Sequence, residues 1–62
     1  MWERINTGRW EFILGGVVRA YLRRGGSGRY YVEIPRDGGM TYPQDEFETL
    51  RGAKAYAEAQ VL

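Results

Sequence analysis

Glycine pairs divide the first half of the chain into short extended segments. Gly15 and Gly16 form one break, and the run Gly-Gly-Ser-Gly at residues 25–28 forms another. The segments between them are rich in β-branched and aromatic residues, and a Gly-Gly break between such segments is typical of a β-hairpin. The sequence therefore predicts three consecutive antiparallel strands, over residues 9–14, 17–24 and 29–34.

Apolar and polar side chains alternate along each of these segments. This period of two places the apolar side chains on one face of a sheet and the polar ones on the other. The apolar set that we expect to be buried comprises Trp10, Phe12, Leu14, Val18, Ala20, Leu22, Tyr30, Val32 and Ile34. Pro35 ends the third strand because proline cannot donate a ladder hydrogen bond. Residues 40–42 offer a brief fourth strand before Pro43.

The alanine-rich segment at residues 49–62 predicts a helix. Its apolar residues recur at helical spacing and form one narrow stripe, at Leu50, Ala53, Ala57 and Val61. Either Asp45 or Thr49 can cap this helix, and the acidic residues Asp45, Glu46 and Glu48 are expected to complement its positive end. The predicted fold class is α+β: a three-stranded antiparallel meander, with an optional short fourth strand, packed on one C-terminal helix in two layers. It forms a single β-β-β-α domain over residues 1–62.

A chain of 62 residues can bury only a small core. Its aromatic residues compensate for this short length, because each aromatic side chain can bury about 150–250 Å². They are two Trp, five Tyr and two Phe. We expect Trp10 in the core, whereas Trp2 fits either the core or an interface.

The residue types that most enzymes and metal sites need are missing. The chain contains no His and no Cys, so it lacks the commonest general base, the commonest metal ligand and any thiolate. Ser27 is the only serine, and without a histidine to activate it a serine-hydrolase arrangement is excluded. We expect no enzymatic activity, no cofactor and no metal.

The net charge of +1 conceals an asymmetry between the two halves. Residues 1–36 carry seven Arg and three Glu, whereas residues 37–62 carry one Arg, one Lys and five acidic residues. Alternation places basic and phenolic side chains on the polar face of the predicted sheet. The candidate partner-binding residues are Arg9, Arg19, Tyr21, Arg23, Arg29 and Tyr31.

Basic side chains interleaved with aromatic ones attract phosphate and stack on bases. The alternative is that these are ordinary exposed strand residues, neutralised across the sheet by Glu11 and Glu33. The amides of residues 25–28 can cradle an anion, although a flexible hairpin loop explains this run equally well. With no signal peptide and no apolar run long enough to cross a membrane, the expected location is the cytoplasm.

The segment Phe47–Ala53, which places Thr49 two residues after Phe47 and is followed by Tyr56, resembles part of the AP2-like domains and the arm-binding domains of phage integrases. The likeness covers roughly residues 17–57 and includes the strand at residues 30–34. It implies a three-stranded sheet on a helix, with the sheet docked in a DNA groove. On that alignment the third strand is residues 40–47, where Pro43 and acidic residues replace the expected basic and aromatic positions, so we transfer no DNA-contacting residue.

The chain also resembles small proteins of phages and mobile elements, including anti-CRISPR inhibitors. This likeness depends on its size, its β-β-β-α pattern and the closing segment at residues 47–58. It implies a non-enzymatic inhibitor or adaptor that docks a host nucleic-acid-processing complex through the Arg/Tyr face. The alternatives are an AP2-like DNA- or RNA-binding domain that uses the same face, and a structural homodimer paired through sheet edges or the Trp2 region. The expected partner is thus a host protein or nucleoprotein complex, with nucleic acid as the alternative and no membrane.

Overall fold

The chain forms an antiparallel sheet followed by one C-terminal helix. A computed structural model describes residues 1–36, 38–41 and 46–62. The elements are β1 (Trp2–Asn6), β2 (Arg9–Leu14), β3 (Val17–Arg24), β4 (Tyr30–Arg36), β5 (Gly39–Thr41) and α1 (Leu50–Val61). Strands β1 to β4 lie side by side in chain order, and β5 pairs with the end of β4. The predicted α+β class, with an antiparallel sheet before a helix, is confirmed.

The turn between β2 and β3 explains why glycine stands there twice. Gly15 and Gly16 have φ angles of 58° and 79°, a region that residues with a side chain rarely adopt. Two consecutive positive φ angles match the hairpin turns whose twist suits the flanking strands. The hairpin predicted at this glycine pair is therefore confirmed.

The predicted strand count of three is too low, because β1 precedes the predicted meander. β1 pairs with β2 so that Trp2 lies opposite Phe12 and Arg4 opposite Trp10. All of its residues except Trp2 are exposed, so the segment lacks the apolar alternation that reveals the other strands. The optional strand is present as β5, and its predicted last residue, Tyr42, lies outside the described residues together with Pro43 and Asp45.

A β-bulge changes the register of β2 against β3. Phe12 lies opposite Ala20, but the next residue, Ile13, lies opposite Val18, which leaves Arg19 as the extra residue. Val18 was expected to join the buried set. It is half-buried instead and lies outside the core cluster, because the bulge moves it out of phase with Ala20.

The core lies on one face of the sheet and includes two residues of the predicted helical stripe, Ala53 and Ala57, while Leu50 and Val61 are partly buried against it. Leu22 and Val32 are its largest fully buried side chains, and Ala53 and Ala57 of α1 are also completely buried. Trp10 is 9% exposed, which confirms its place in the core. The complete buried cluster is Trp10, Phe12, Ala20, Leu22, Val32, Ile34, Ala53 and Ala57. Because alanine has a short side chain, these two positions allow α1 to approach β3 and β4 closely.

Thr49 caps the N-terminal end of the helix. Its hydroxyl oxygen Oγ1 accepts a hydrogen bond of 3.0 Å from the amide of Gly52, as an N-cap residue does. The first turn of α1 contains no acidic residue, so Glu46 and Glu48 are not part of it. No helix in the part of the chain that the structure describes has both the length and the apolar character needed to cross a bilayer.

Candidate interaction surface

The sheet has a second face, opposite the core cluster, which we call the outer face. It carries the strand residues that alternate with the buried ones. In β2, for example, Arg9 and Glu11 flank the buried Trp10, and in β3 Tyr21 and Arg23 flank the buried Leu22. The register of the strands arranges these side chains in rows that run across the sheet.

The first row is basic and phenolic, and we call it the basic row. Arg9 of β2 lies opposite Arg23 of β3, which in turn lies opposite Tyr31 of β4. Arg9 and Arg23 are exposed, and Tyr31 is half-buried. Three of the six predicted binding residues therefore lie side by side across three strands.

The neighbouring row carries three glutamates, and we call it the acidic row. Glu3 lies opposite Glu11, Glu11 opposite Tyr21, and Tyr21 opposite Glu33. Because the two rows are separated by two residues along each strand, they are about 6–7 Å apart. Tyr21, a fourth predicted binding residue, thus lies among carboxylates.

Beyond the acidic row, the outer face becomes apolar. The amide of Ile13 donates to the carbonyl of Met1 at 2.8 Å, and the Met1 ammonium donates to the carbonyl of Ile13 at 2.9 Å. Ile13 lies opposite Val18 on its other side. Arg19, the fifth predicted residue, is exposed beside this apolar row at the bulge, so it is not aligned with the basic row.

Arg23 does not present a free guanidinium group. Its Nε lies 2.7 Å from Oε1 of Glu33, and the exposed fractions of the two side chains are 55% and 14%. The ion pair links the basic row to the acidic row diagonally across β3 and β4. Glu33 therefore neutralises Arg23, as the alternative of ordinary exposed strand residues predicts.

Glu46 joins Tyr31 to Arg29, the sixth predicted residue. Tyr31 donates its hydroxyl hydrogen bond to Oε1 of Glu46 at 2.9 Å, and Nη1 of Arg29 lies 3.4 Å from Oε2 of the same carboxylate. Sequence reasoning placed Glu46 at the helix start as a complement to its dipole, and missed this role. No local pattern could have found it, because the contact joins residues that are distant in the chain.

The glycine loop between β3 and β4 holds Tyr31 in place. The Tyr31 ring lies so close to Gly25 that a β-carbon at position 25 would overlap the ring. Within the loop, the amide of Gly25 donates to the carbonyl of Arg29 at 2.7 Å, and the amide of Gly28 donates to the carbonyl of Gly25 at 3.0 Å. Two amides of the suggested anion cradle are thus already bonded, which favours a structural role for this loop.

The charges of the outer face, taken together with those of Arg29 and Glu46 beside it, are balanced. Four arginines, Arg9, Arg19, Arg23 and Arg29, are matched by four glutamates, Glu3, Glu11, Glu33 and Glu46. A balanced surface produces a weak long-range field. Polyanion binding depends on an excess of positive charge, so the surface is better suited to a partner that itself carries both signs.

The edge of the helix carries a shallow groove of about 550 Å³, lined by Leu50, Arg51, Lys54, Ala55 and Glu58. Trp2 occupies one side of this region: its indole Nε1 donates to Oε2 of Glu58 at 2.9 Å, and Nζ of Lys54 lies 5.7 Å from its ring centroid. Trp2 is half-buried and also contacts Phe12, at 5.0 Å between ring centroids. Its role here is to attach β1 to α1.

The comparisons with known proteins leave the surface to be interpreted by its chemistry. No protein-family model matches the chain, and no curated protein and no solved structure matches it.

Proposed function

We propose that this chain is a non-enzymatic binding protein that docks a partner protein through the outer face of its sheet. The proposal includes a two-layer arrangement, in which α1 covers one face and the outer face stays available. The observation that carries the proposal is the ordered pattern of that face, where the basic row, which includes Tyr31, lies next to the acidic row, which includes Tyr21. Arginine and tyrosine are enriched among the residues that dominate binding energy at protein interfaces.

The charge pattern favours a protein over a nucleic acid as the partner. A phosphate backbone that approached Arg9 would also approach Glu11, which is two residues away on the same face. A protein can instead place a carboxylate against Arg9 and a basic side chain against Glu11, which adds specificity on both sides. The resemblance to phage inhibitors implies a host nucleic-acid-processing complex, and we propose a protein component of such a complex, in the host cytoplasm, as the partner.

The test uses a variant that changes the outer face and a matched variant that does not. Arg19→Glu combined with Tyr21→Ala alters two exposed or half-buried side chains of β3, whereas Arg51→Glu makes a similar charge change on the exposed side of α1. Each protein is immobilised and exposed to a host lysate, and the retained proteins are quantified by mass spectrometry. We expect one protein to be retained by the wild type and by Arg51→Glu. The double variant should retain at least about tenfold less of this protein, which corresponds to a loss of about 1.4 kcal/mol of binding free energy.

Two controls make this result interpretable. Circular dichroism must show the same folded spectrum for all three proteins. A nuclease-treated lysate then separates the protein partner from the AP2-like alternative, because nucleic-acid-mediated retention disappears after digestion and weakens steeply with salt. Equal retention by the double variant would remove the outer face from the proposed function.

A further inference from the structure

We propose that the outer face is also complementary to itself, so that two copies of this chain bind face to face as a weak homodimer. The inference depends on the order of charges on the face and is independent of the identity of any partner protein. Its starting point is that the basic row and the acidic row are parallel, adjacent and equally long across β2, β3 and β4.

A single two-fold axis brings the two rows together. If the axis runs across the strands, midway between the rows, rotation places the basic row of one copy over the acidic row of the other. Each strand then faces the same strand of the second copy. Two-fold symmetry of this kind repeats every contact twice, which is the usual arrangement of homodimers.

Two of the three positions of the row gain a new suitable partner in this arrangement. Arg9 faces Glu11 of the second copy in β2, whereas in β4 Tyr31, which faces Glu33 of the second copy, already donates its hydroxyl hydrogen to Glu46. In β3, Arg23 faces Tyr21 of the second copy, which is a favourable pairing of a cation with an aromatic ring. The strongest of these is the pair of Arg9 and Glu11, because neither residue takes part in an ion pair among residues 1–36, 38–41 and 46–62.

An arrangement of the same face with its two-fold axis along the strands is unfavourable. A two-fold axis along the strands, between β2 and β3, would place Arg9 over Arg23 of the second copy and so bring like charges together. The charge pattern therefore favours the axis across the strands over the axis along them. Since the ion pair of Arg9 with Glu11 forms between surface side chains, the dimer should be weak and should weaken further in high salt, where the Debye length falls from about 10 Å at 0.1 M to about 3 Å at 1 M.

The experiment exchanges the charges of β2. Sedimentation equilibrium of the wild-type protein over a wide range of concentrations, at low salt, should give a monomer–dimer equilibrium. Arg9→Glu and Glu11→Arg each create two like-charge contacts in the dimer, so each should raise the dissociation constant at least about tenfold. The double variant R9E/E11R restores opposite charges at both contacts and should return to within about threefold of the wild type.

The double variant also protects the test against misfolding. Within one copy, Glu at position 9 would lie opposite Arg23, and Arg at position 11 would lie opposite Glu3, so the double exchange is favourable in the monomer as well. Arg51→Glu on α1 serves as the charge control and should leave the dimer unchanged. A wild type that stays monomeric throughout, or single variants that weaken the dimer no more than Arg51→Glu, would overturn the proposal. Failure of the double variant to recover would overturn it too. None of these results would alter the lysate experiment, which uses different substitutions and a different readout.

Discussion

The two faces of the sheet differ in burial and in charge, although they are formed by neighbouring residues of the same strands. Leu22 is 1% exposed and lies in the cluster that includes Ala53 and Ala57 of the helix. Tyr21, its neighbour in β3, lies on the outer face between Glu11 and Glu33. One face holds the fold together through close packing, and the other presents ordered charge. Because the tasks are separated by a single residue step, substitutions can test them independently.

The largest effect is expected from truncating the packed face. Leu22→Ala should lower the free energy of unfolding by about 2–5 kcal/mol, because it removes buried methyl groups and leaves a cavity. In a domain this small, such a loss can consume most of the stability. Urea denaturation followed by circular dichroism measures it.

The matched change is Tyr21→Ala on the outer face. It should cost only about 0.2–1 kcal/mol, the range of cross-strand side-chain pairs. Equal costs for Leu22→Ala and Tyr21→Ala in the same denaturation experiment would contradict the separation of the two faces.

An intermediate effect is expected from enlarging an alanine of the helix. Ala57 is completely buried, so Ala57→Leu should push α1 away from the sheet and cost about 1–3 kcal/mol. Ala59 is exposed on the same helix, and Ala59→Leu should change stability by less than about 0.5 kcal/mol. Thermal unfolding distinguishes the two variants. Similar midpoints would show that α1 does not depend on close approach at position 57.

A small effect is also expected at the glycine loop that supports the outer face. Gly25→Ala would overlap the Tyr31 ring and should cost about 1 kcal/mol, because a ring at the surface can move partly aside. Gly26→Ala meets nothing within contact distance and should be close to neutral.

Tyr31→Ala provides the decisive comparison for this loop. In its background, Gly25→Ala should become neutral or stabilising, because the ring is gone and alanine restricts the unfolded chain more than glycine does. Chemical denaturation of the four proteins completes the double-mutant cycle. A cost for Gly25→Ala that persists without the ring would contradict the contact.

The parts of the fold that local pattern encodes could be predicted from the sequence. Strands β2, β3 and β4 each bury alternate side chains, and the helix repeats alanine at positions 53 and 57, so their periods are visible in the sequence. The β2–β3 turn was equally visible, because its geometry requires two residues with positive φ.

The parts that were missed depend on contacts between distant residues. β1 is nearly all exposed, and its pairing with β2 leaves no apolar period in the sequence. The bulge at Arg19 has no glycine to mark it, although it decides where Val18 lies. Glu46 lies fifteen residues after Tyr31 in the chain, and only the folded structure brings the two together.

The outer edge of β4 is largely occupied, since Tyr30 exchanges backbone hydrogen bonds with Phe47, and β5 pairs along residues 34–36. Beyond β4 the sheet ends in β5, which is only three residues long, and very short edge strands are one way in which proteins limit pairing with further chains. Edge-to-edge growth on this side of the sheet therefore has only a short template, which disfavours fibril formation by a small, tyrosine-rich protein.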